Sequence, residues 1–182
     1  MLHRAQARNK DEFYLVSSCI LGIPTRWDGK HCLAKTLIPL VSSGRVLPFC
    51  AEVAGVLTIP RGDASIQEFD GTQVRFCQAS DADGHDVLDG KAKVVTKAGI
   101  DVTAEYLRGA QMGLALVKKY GIKTAILKAH SPSCGSRTIY DGTFTLTLKT
   151  GRGVLAALLI RHGVKVYSED DLEALILPTA SK

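Results

Sequence analysis

The chain has 182 residues, of which 46% are hydrophobic and 23% charged, a balance typical of one ordinary globular domain. It contains no apolar run near the roughly 20 residues that a membrane-spanning helix needs, and its polar start lacks the apolar core of a secretion signal. The net charge of +5 has no dense basic block, so it suits an anionic small molecule, an RNA or an ordinary solvated surface. We expect a cytoplasmic protein with a polar extension at residues 1–12 and a single domain at residues 13–182.

The first half of the chain predicts two strands, a short helix and a long polar excursion. The run "FYLVSSC" at 13–19 is aromatic and β-branched, which predicts a buried strand that ends in small polar residues. "CLAKTLIPLVSSG" at 32–44 predicts a short helix closed by Gly44, and "RVLPFC" at 45–50 predicts a second strand. Residues 60–90 are polar, and their Asp-Gly turn signals predict an excursion with some helix and a small hairpin.

The second half alternates strands with helices. Its clearest element is a helix at 103–120, which places apolar residues on one face and stops at Gly121. The other predicted elements are strands at 93–96, 123–128 and 164–168 and helices at 151–163 and 169–177. Because strands and helices alternate, we predict an α/β fold: a single-domain, Rossmann-like three-layer sandwich with a mostly parallel sheet and helices on both faces.

Three of the five cysteines share a placement relative to the predicted strands. Cys19 and Cys50 lie at the carboxyl ends of strands, and Cys134 lies in the loop just beyond one. In an open parallel sheet this edge is where ligands bind, so we expect the three cysteines to converge. Cys32 and Cys77 do not follow a predicted core strand, and we expect them to be incidental, although Cys32 is near enough to compete.

Three convergent thiols suit an iron–sulfur cluster better than a disulfide framework or a structural zinc ion. An odd number of cysteines in a chain of cytoplasmic character argues against disulfides, and zinc normally takes a fourth Cys or His ligand. A four-iron cluster is normally held by four thiolates, so three would leave one iron open as a Lewis acid for a substrate atom. Each cysteine alone would also fit a small buried core position.

Polar residues beside these cysteines are candidates to complete the site. Glu52 comes two residues after the second cysteine, and Ser18 directly precedes the first. Ser131 and Ser133 belong to the loop "HSPSCG" at 130–135, whose hydroxyls and free amides can hydrogen-bond cluster sulfurs or a substrate oxygen. The same residues also fit an ordinary helix start and an ordinary turn.

Six blocks in chain order carry a resemblance to a known family. They are "VSSCILG", "TRWDG", "PFCAEVAG", "DVTAEYLRGA", "AILKAHSPSCGSRTIYDGTF" and "GVLAALLIRHGVKVYSE", and together they span about residues 13 to 170. In this order they resemble the thiouracil desulfurase family. Two positions depart from it: the family often has a cysteine where this chain has Thr25, and a proline where it has Ala51.

The resemblance implies a [4Fe–4S] cluster held by Cys19, Cys50 and Cys134, a catalytic glutamate at Glu52 and a catalytic serine at Ser131. It also implies the reaction: removal of sulfur from thiouracil, 4-thiouridine or 4-thiouridine monophosphate, giving the uracil form and hydrosulfide. A tRNA substrate is compatible with it but less favoured. The residues alone lead only to a cluster with an open iron beside a carboxylate.

Three basic residues fall in loops that should line the same sheet edge. They are Arg26, Lys128 and Arg137, and each also fits an ordinary solvated surface. If two of them converge, they form a phosphate site beside the cluster, because arginine suits bidentate phosphate contacts. Such a site would favour a thiolated nucleotide over the free base.

Two other classes of function stay open at this point. A non-enzymatic iron–sulfur sensor or RNA-binding module would want a compact basic face or a recognition motif, and the sequence contains neither. A metal-free enzyme with a cysteine nucleophile would need a histidine partner, and His130 is near enough to Cys134 for that role.

Overall fold

Four parallel strands form the centre of the protein in a computed structural model that describes residues 12–172. Within that range the strands are β1 (Tyr14–Ser17), β2 (Val46–Phe49), β3 (Ala64–Glu68), β4 (Ala92–Thr96), β5 (Thr124–Leu127), β6 (Thr138–Tyr140), β7 (Leu148–Thr150) and β8 (Lys165–Ser168). The central sheet has the order β2-β1-β5-β8, and all three pairings are parallel. The carboxyl ends of β1, β2 and β5 therefore meet at one edge of the sheet.

Five helices accompany these strands in the described part of the chain. They are α1 (Ile38–Ser42), α2 (Ala51–Ala54), α3 (Gly84–Leu88), α4 (Thr103–Tyr120) and α5 (Val154–Arg161). The helix predicted at 103–120 is confirmed as α4, and it ends at Gly121, whose φ of 62° is the left-handed conformation that glycine adopts readily.

The two faces of the sheet bury separate hydrophobic clusters because neighbouring side chains of a strand point to opposite sides. Leu15 belongs to the larger cluster, which joins α2, α3, α4 and α5 to the sheet. Val16, the next residue along β1, belongs to a smaller cluster with Leu37, just before α1, and with Leu172. The predicted three-layer α/β sandwich with a mostly parallel sheet is thus confirmed.

Two antiparallel hairpins lie outside the central sheet. The strand predicted at 93–96 is β4, and it pairs with β3 rather than with the parallel strands. The hairpin predicted within residues 60–90 therefore extends beyond that segment, because its second strand, β4, begins at Ala92. A second hairpin, of β6 and β7, was not predicted, and it follows the loop that contains Cys134.

Several predicted boundaries differ from the structure. The helix predicted at 32–44 is helical only from Lys35 onward, because its first residues instead extend and pair with the turn after β1. The helix predicted at 151–163 begins at Val154. Of the helix predicted at 169–177, a 3₁₀ turn is present at Glu169–Asp171, and the part beyond 172 lies outside the described residues, as do residues 1–11 of the predicted extension. Over 12–172, no helix combines the length and the apolar character that crossing a membrane requires.

Candidate active site

A cavity of about 180 Å³ opens at the carboxyl edge of the central sheet. Its walls include the three cysteines that follow β1, β2 and β5, namely Cys19, Cys50 and Cys134. Glu52 and Ser131 line the same cavity. Residues separated by more than 100 positions in the chain therefore meet at the edge where parallel α/β sheets bind ligands.

Cys19 lies in a 3₁₀ turn directly after β1, and the chain returns so that Cys32 contacts it. The Cys32 amide donates a 2.9 Å hydrogen bond to the Cys19 carbonyl, and their two thiols also interact. Hydrogen bonding to the Cys32 thiol, together with burial, raises the pKa of Cys19. The same hydrogen bond lowers the pKa of Cys32 to about 6, helped by Lys128 and Arg26. Cys32 is therefore a direct neighbour of the site.

Cys50 lies between the end of β2 and the start of α2, and its thiol lies 3.7 Å from the carbonyl oxygen of Thr25. Glu52 follows in the first turn of α2. The helix is held by unusually close backbone packing on α4: a Cβ at Gly109 would lie 1.9 Å from the Ala51 carbonyl oxygen. Glycine at position 109 lets the main chains of α4 and α2 touch. This contact fixes the orientation of α2 and therefore the direction in which the Glu52 side chain points.

The loop after β5 holds Cys134 through a network centred on Ser131. The Ser131 hydroxyl oxygen accepts hydrogen bonds from the amides of Ser133 (3.1 Å) and Cys134 (3.2 Å). The loop also packs on the start of α5, where a Cβ at Gly153 would lie 2.4 Å from the Ser133 carbonyl carbon. Burial raises the pKa of Cys134 to about 12, against the effect of a hydrogen bond from Ser17.

Glu52 forms a largely buried ion pair with Arg61. Arg61 Nε donates to Glu52 Oε2 at 2.6 Å, and the two side chains are 7% and 14% exposed. Burial alone would lower the pKa of Arg61, but the carboxylate of Glu52 outweighs it and raises that pKa. Arg61 was not predicted as a site residue, because it lies in the polar segment at 60–90 and no spacing pattern connects it to Glu52.

The three basic residues predicted to gather at this edge divide into two groups. Arg26 and Lys128 line the cavity, and each has an acidic partner: Arg26 pairs with Asp28 at 3.1 Å, and Lys128 with Glu169. Arg137 does not belong to the cavity wall, and its side chain is 74% exposed. The cavity therefore brings two of the three predicted cations together.

The two predicted substrate-binding serines also differ in position. Ser18 lines the cavity. Ser133 does not, and its hydroxyl is buried without a hydrogen-bond partner among residues 12–172. It lies next to the Cys134 thiol, whose pKa it acts to lower. This hydroxyl therefore does not reach the open space of the cavity.

His130 gives little support to a metal-free cysteine nucleophile. It lines the cavity, but its Nδ1 is hydrogen-bonded to the Thr138 hydroxyl at 2.9 Å. The side-chain partner of Cys134 is instead Ser17, whose hydroxyl donates to Cys134 Sγ at 3.5 Å. A nucleophilic cysteine needs a lowered pKa, whereas that of Cys134 is raised.

The thiols do not form a site for a single metal ion. In the part of the chain that the structure describes, no three His, Cys, Asp or Glu side chains gather closely enough to hold one ion. Cys77 is exposed and lies outside the cavity wall. The three thiols therefore line the cavity without converging on a single point.

The fold and this cavity together define an α/β protein with a thiol-lined pocket and a carboxylate beside the thiols at the carboxyl edge of a parallel sheet. The sequence profile of 2-thiouracil desulfurase matches residues 14–171. The chain belongs to the 2-thiouracil desulfurase family, which confirms both the predicted family and the prediction of an enzyme.

Two relatives extend this comparison. The chain is 41% identical over 162 residues to the uncharacterized protein YbbK of Bacillus subtilis (strain 168), an alignment that covers 89% of this chain and 99% of YbbK. It also resembles the solved structure of the [4Fe-4S]-dependent thiouracil desulfidase TudS, with a TM-score of 0.73 and 42% identity. That match covers 90% of this chain and 95% of TudS.

Proposed function

We propose that this protein removes sulfur from a thiolated pyrimidine and that Cys19, Cys50 and Cys134 hold a [4Fe–4S] cluster for the reaction. One observation carries the proposal: three cysteines from three separate strand ends line a single cavity together with Glu52. Membership of the 2-thiouracil desulfurase family and the likeness to a [4Fe-4S]-dependent thiouracil desulfidase support it.

The residues around the cavity fit a cluster in three respects. Each ligand of a cubane binds its own iron, so the thiols need to surround a space rather than meet at one point. The buried hydroxyl of Ser133, unpartnered within the described residues, lies beside Cys134 and can donate to a sulfur. Gly135 keeps the loop compact, since a Cβ there would lie 2.7 Å from the Thr138 carbonyl oxygen.

A cluster held by three thiolates supplies one iron with an open position, a Lewis acid that prefers a soft thiocarbonyl sulfur to a carbonyl oxygen. The overall change is a hydrolysis: the carbon–sulfur double bond and water give a carbonyl and hydrogen sulfide, without net oxidation or reduction. Glu52 is the general base that takes a proton from the attacking water.

Ser131 is suited to donate rather than accept a proton. Two amide groups already donate to its hydroxyl oxygen, so the remaining capacity of the hydroxyl is its own O–H. We assign this O–H to a ring nitrogen or exocyclic atom of the pyrimidine, which it orients and to which it relays the proton that Glu52 has taken from the water. Ser18 adds a second hydroxyl to the cavity wall.

The same proposal includes the larger substrates. Arg26 and Lys128 line the cavity, so a phosphate of 4-thiouridine monophosphate has two cations within reach. A base or nucleotide released by degradation of thiolated tRNA fits this cavity better than an intact tRNA, because the cavity has a volume of only about 180 Å³. The free thiols of all five cysteines suit a reducing compartment, and we assign the protein to the cytoplasm.

An anaerobic activity panel tests the proposal. Reconstituted protein is incubated with 2-thiouracil, 4-thiouracil, 4-thiouridine and 4-thiouridine monophosphate, and uracil products and hydrosulfide are measured. We expect equal amounts of both products from at least one substrate. Iron-loaded protein that releases no hydrosulfide from any of the four would overturn the proposed function.

A further inference from the structure

Arg61 lines the cavity and is hydrogen-bonded to three other segments of the chain. Its Nε donates to Glu52 Oε2 at 2.6 Å, its Nη2 to the Thr25 carbonyl at 2.9 Å and its Nη1 to the Thr58 carbonyl at 3.3 Å. In addition, its backbone amide donates to the Trp27 carbonyl at 2.9 Å. Every nitrogen of the guanidinium group thus has a protein partner.

These contacts decide between two roles for an arginine in a pocket wall. An arginine that binds substrate presents free N–H groups to the ligand, usually two in parallel. Arg61 instead directs each nitrogen at the protein, and its side chain is only 7% exposed. Three of its five N–H groups are taken by the protein, one on each nitrogen, so its guanidinium is held in place as a support of the cavity wall.

The ion pair also distinguishes the two oxygens of Glu52. Oε2 is occupied by Arg61, whereas Oε1 has no hydrogen-bond partner within residues 12–172. A carboxylate held at one oxygen by a rigid group cannot rotate freely about its last bond. The other oxygen is consequently presented in a constant direction.

The Thr25 carbonyl extends this support to a thiol of the cavity. It accepts from Arg61 Nη2 at 2.9 Å and lies 3.7 Å from Cys50 Sγ. Arg61 itself contacts Glu52, and the Thr25 carbonyl that it also holds lies beside Cys50, two residues before Glu52. The contact uses the main chain of Thr25, and it does not depend on the side chain at that position.

We propose that Arg61 is a positioning residue of the site: it fixes the carboxylate of Glu52 so that Oε1 alone acts on the attacking water. This inference rests on the proposed function, in which Glu52 is the base. Misplacing a reacting group by about 1 Å costs roughly 100-fold in rate, so we expect Arg61→Ala to lower kcat by about 10- to 100-fold. KM should change little, because in this role the guanidinium acts on Glu52 rather than on the substrate.

A double-mutant cycle with Glu52→Gln tests the proposal. Activity, iron per chain and the urea midpoint of unfolding are measured for Arg61→Ala, Glu52→Gln and the double variant. A positioning residue has no further effect once its target is gone, so Arg61→Ala should cost less than about 3-fold in the Glu52→Gln background. Millimolar guanidinium should restore part of the activity of Arg61→Ala and none of that of the double variant.

The matched control is Arg75→Ala, which removes an arginine from an exposed ion pair with Glu68 outside the cavity. It should leave kcat, iron content and the urea midpoint unchanged. If Arg61→Ala does not fold, Arg61→Lys in both Glu52 backgrounds provides the same comparison, since lysine keeps the charge but loses the three-way contact.

The outcomes separate this proposal from the proposed function. The same fold-loss from Arg61→Ala in both backgrounds, or normal kcat in iron-loaded Arg61→Ala, would overturn the positioning role. Near-normal activity in Glu52→Gln would instead overturn the assignment of Glu52 as the base. A wild-type protein without desulfuration activity would overturn the function itself.

Discussion

The hydroxyl of Ser17 donates a hydrogen bond of 3.5 Å to Cys134 Sγ, although the two residues are 117 positions apart in the chain. The same hydroxyl oxygen accepts from the Lys128 amide at 3.0 Å. Ser17 ends β1, and Lys128 follows the neighbouring strand β5. The hydroxyl therefore ties the carboxyl edge of the sheet to the loop that carries the third cysteine.

Replacing Ser17 by alanine should destabilise the protein. Ser17 is only 2% exposed, and Ser17→Ala leaves the Lys128 amide without its partner. Because Lys128 is only half-buried, losing this hydrogen bond should cost about 1 kcal/mol in the free energy of unfolding. Urea unfolding of the reduced, metal-free protein measures it, with Ser43→Ala, an exposed serine bonded to Leu40, as the control. Equal midpoints for the two variants would show that the Ser17 contacts contribute nothing.

Glu52→Gln should keep its iron and lose turnover. The amide preserves the shape of the side chain but cannot take a proton from water, so the rate should fall by about 100-fold or more. Iron per chain and the rate of hydrosulfide release are measured on the same preparation. Near-normal turnover in an iron-loaded Glu52→Gln protein would mean that another group activates the water.

Ser131→Ala should lower kcat/KM by about 10- to 100-fold, because the substrate loses its hydroxyl donor. Ser131→Thr is the matched variant, since it keeps a hydroxyl that can accept from the Ser133 and Cys134 amides. We expect Ser131→Thr to retain most of the activity. If both variants were equally slow while holding full iron, the role of Ser131 would lie in packing rather than in its hydroxyl.

A nucleotide should be a better substrate than the free base. Arg26 and Lys128 both line the cavity, and a charge-assisted contact to a phosphate should raise kcat/KM for 4-thiouridine monophosphate over 4-thiouracil by about 10-fold. The advantage should shrink as salt screens the charges, and Arg26→Gln should reduce it. Equal kcat/KM for the two substrates at low salt would exclude a phosphate contact.

Much of the central fold follows from local patterns in the sequence. The strand at 13–19 and the helix at 103–120 were predictable because apolar residues recur at strand or helix spacing in each. Strand β3 was not, because its residues, "ASIQE", lie in a polar segment and become a strand only through pairing with β4. Here tertiary contacts outweigh the local pattern.

The candidate site, too, could be predicted from the sequence only in part. Cys19, Cys50 and Cys134 could be grouped from sequence because each follows a strand, and the topology of a parallel sheet brings strand ends together. The contact of Arg61 with Glu52 could not, because it depends on the path of a loop that returns across the cavity. The path of the polypeptide after β1 likewise decides that Cys32 meets Cys19. The roles of these residues as cluster ligands and base remain predictions.

The iron content of the five single Cys→Ser variants, each reconstituted anaerobically, tests the central claim most directly. The Cys32 and Cys77 variants serve as controls. Cys32 lies beside the site, and Cys77 is exposed outside it. We predict that replacing Cys19, Cys50 or Cys134 abolishes stable cluster binding, whereas the two control variants keep the iron content of the wild type. Full iron in the Cys50→Ser protein, or none in the Cys77→Ser protein, would contradict the claim that these three strand ends hold the cluster.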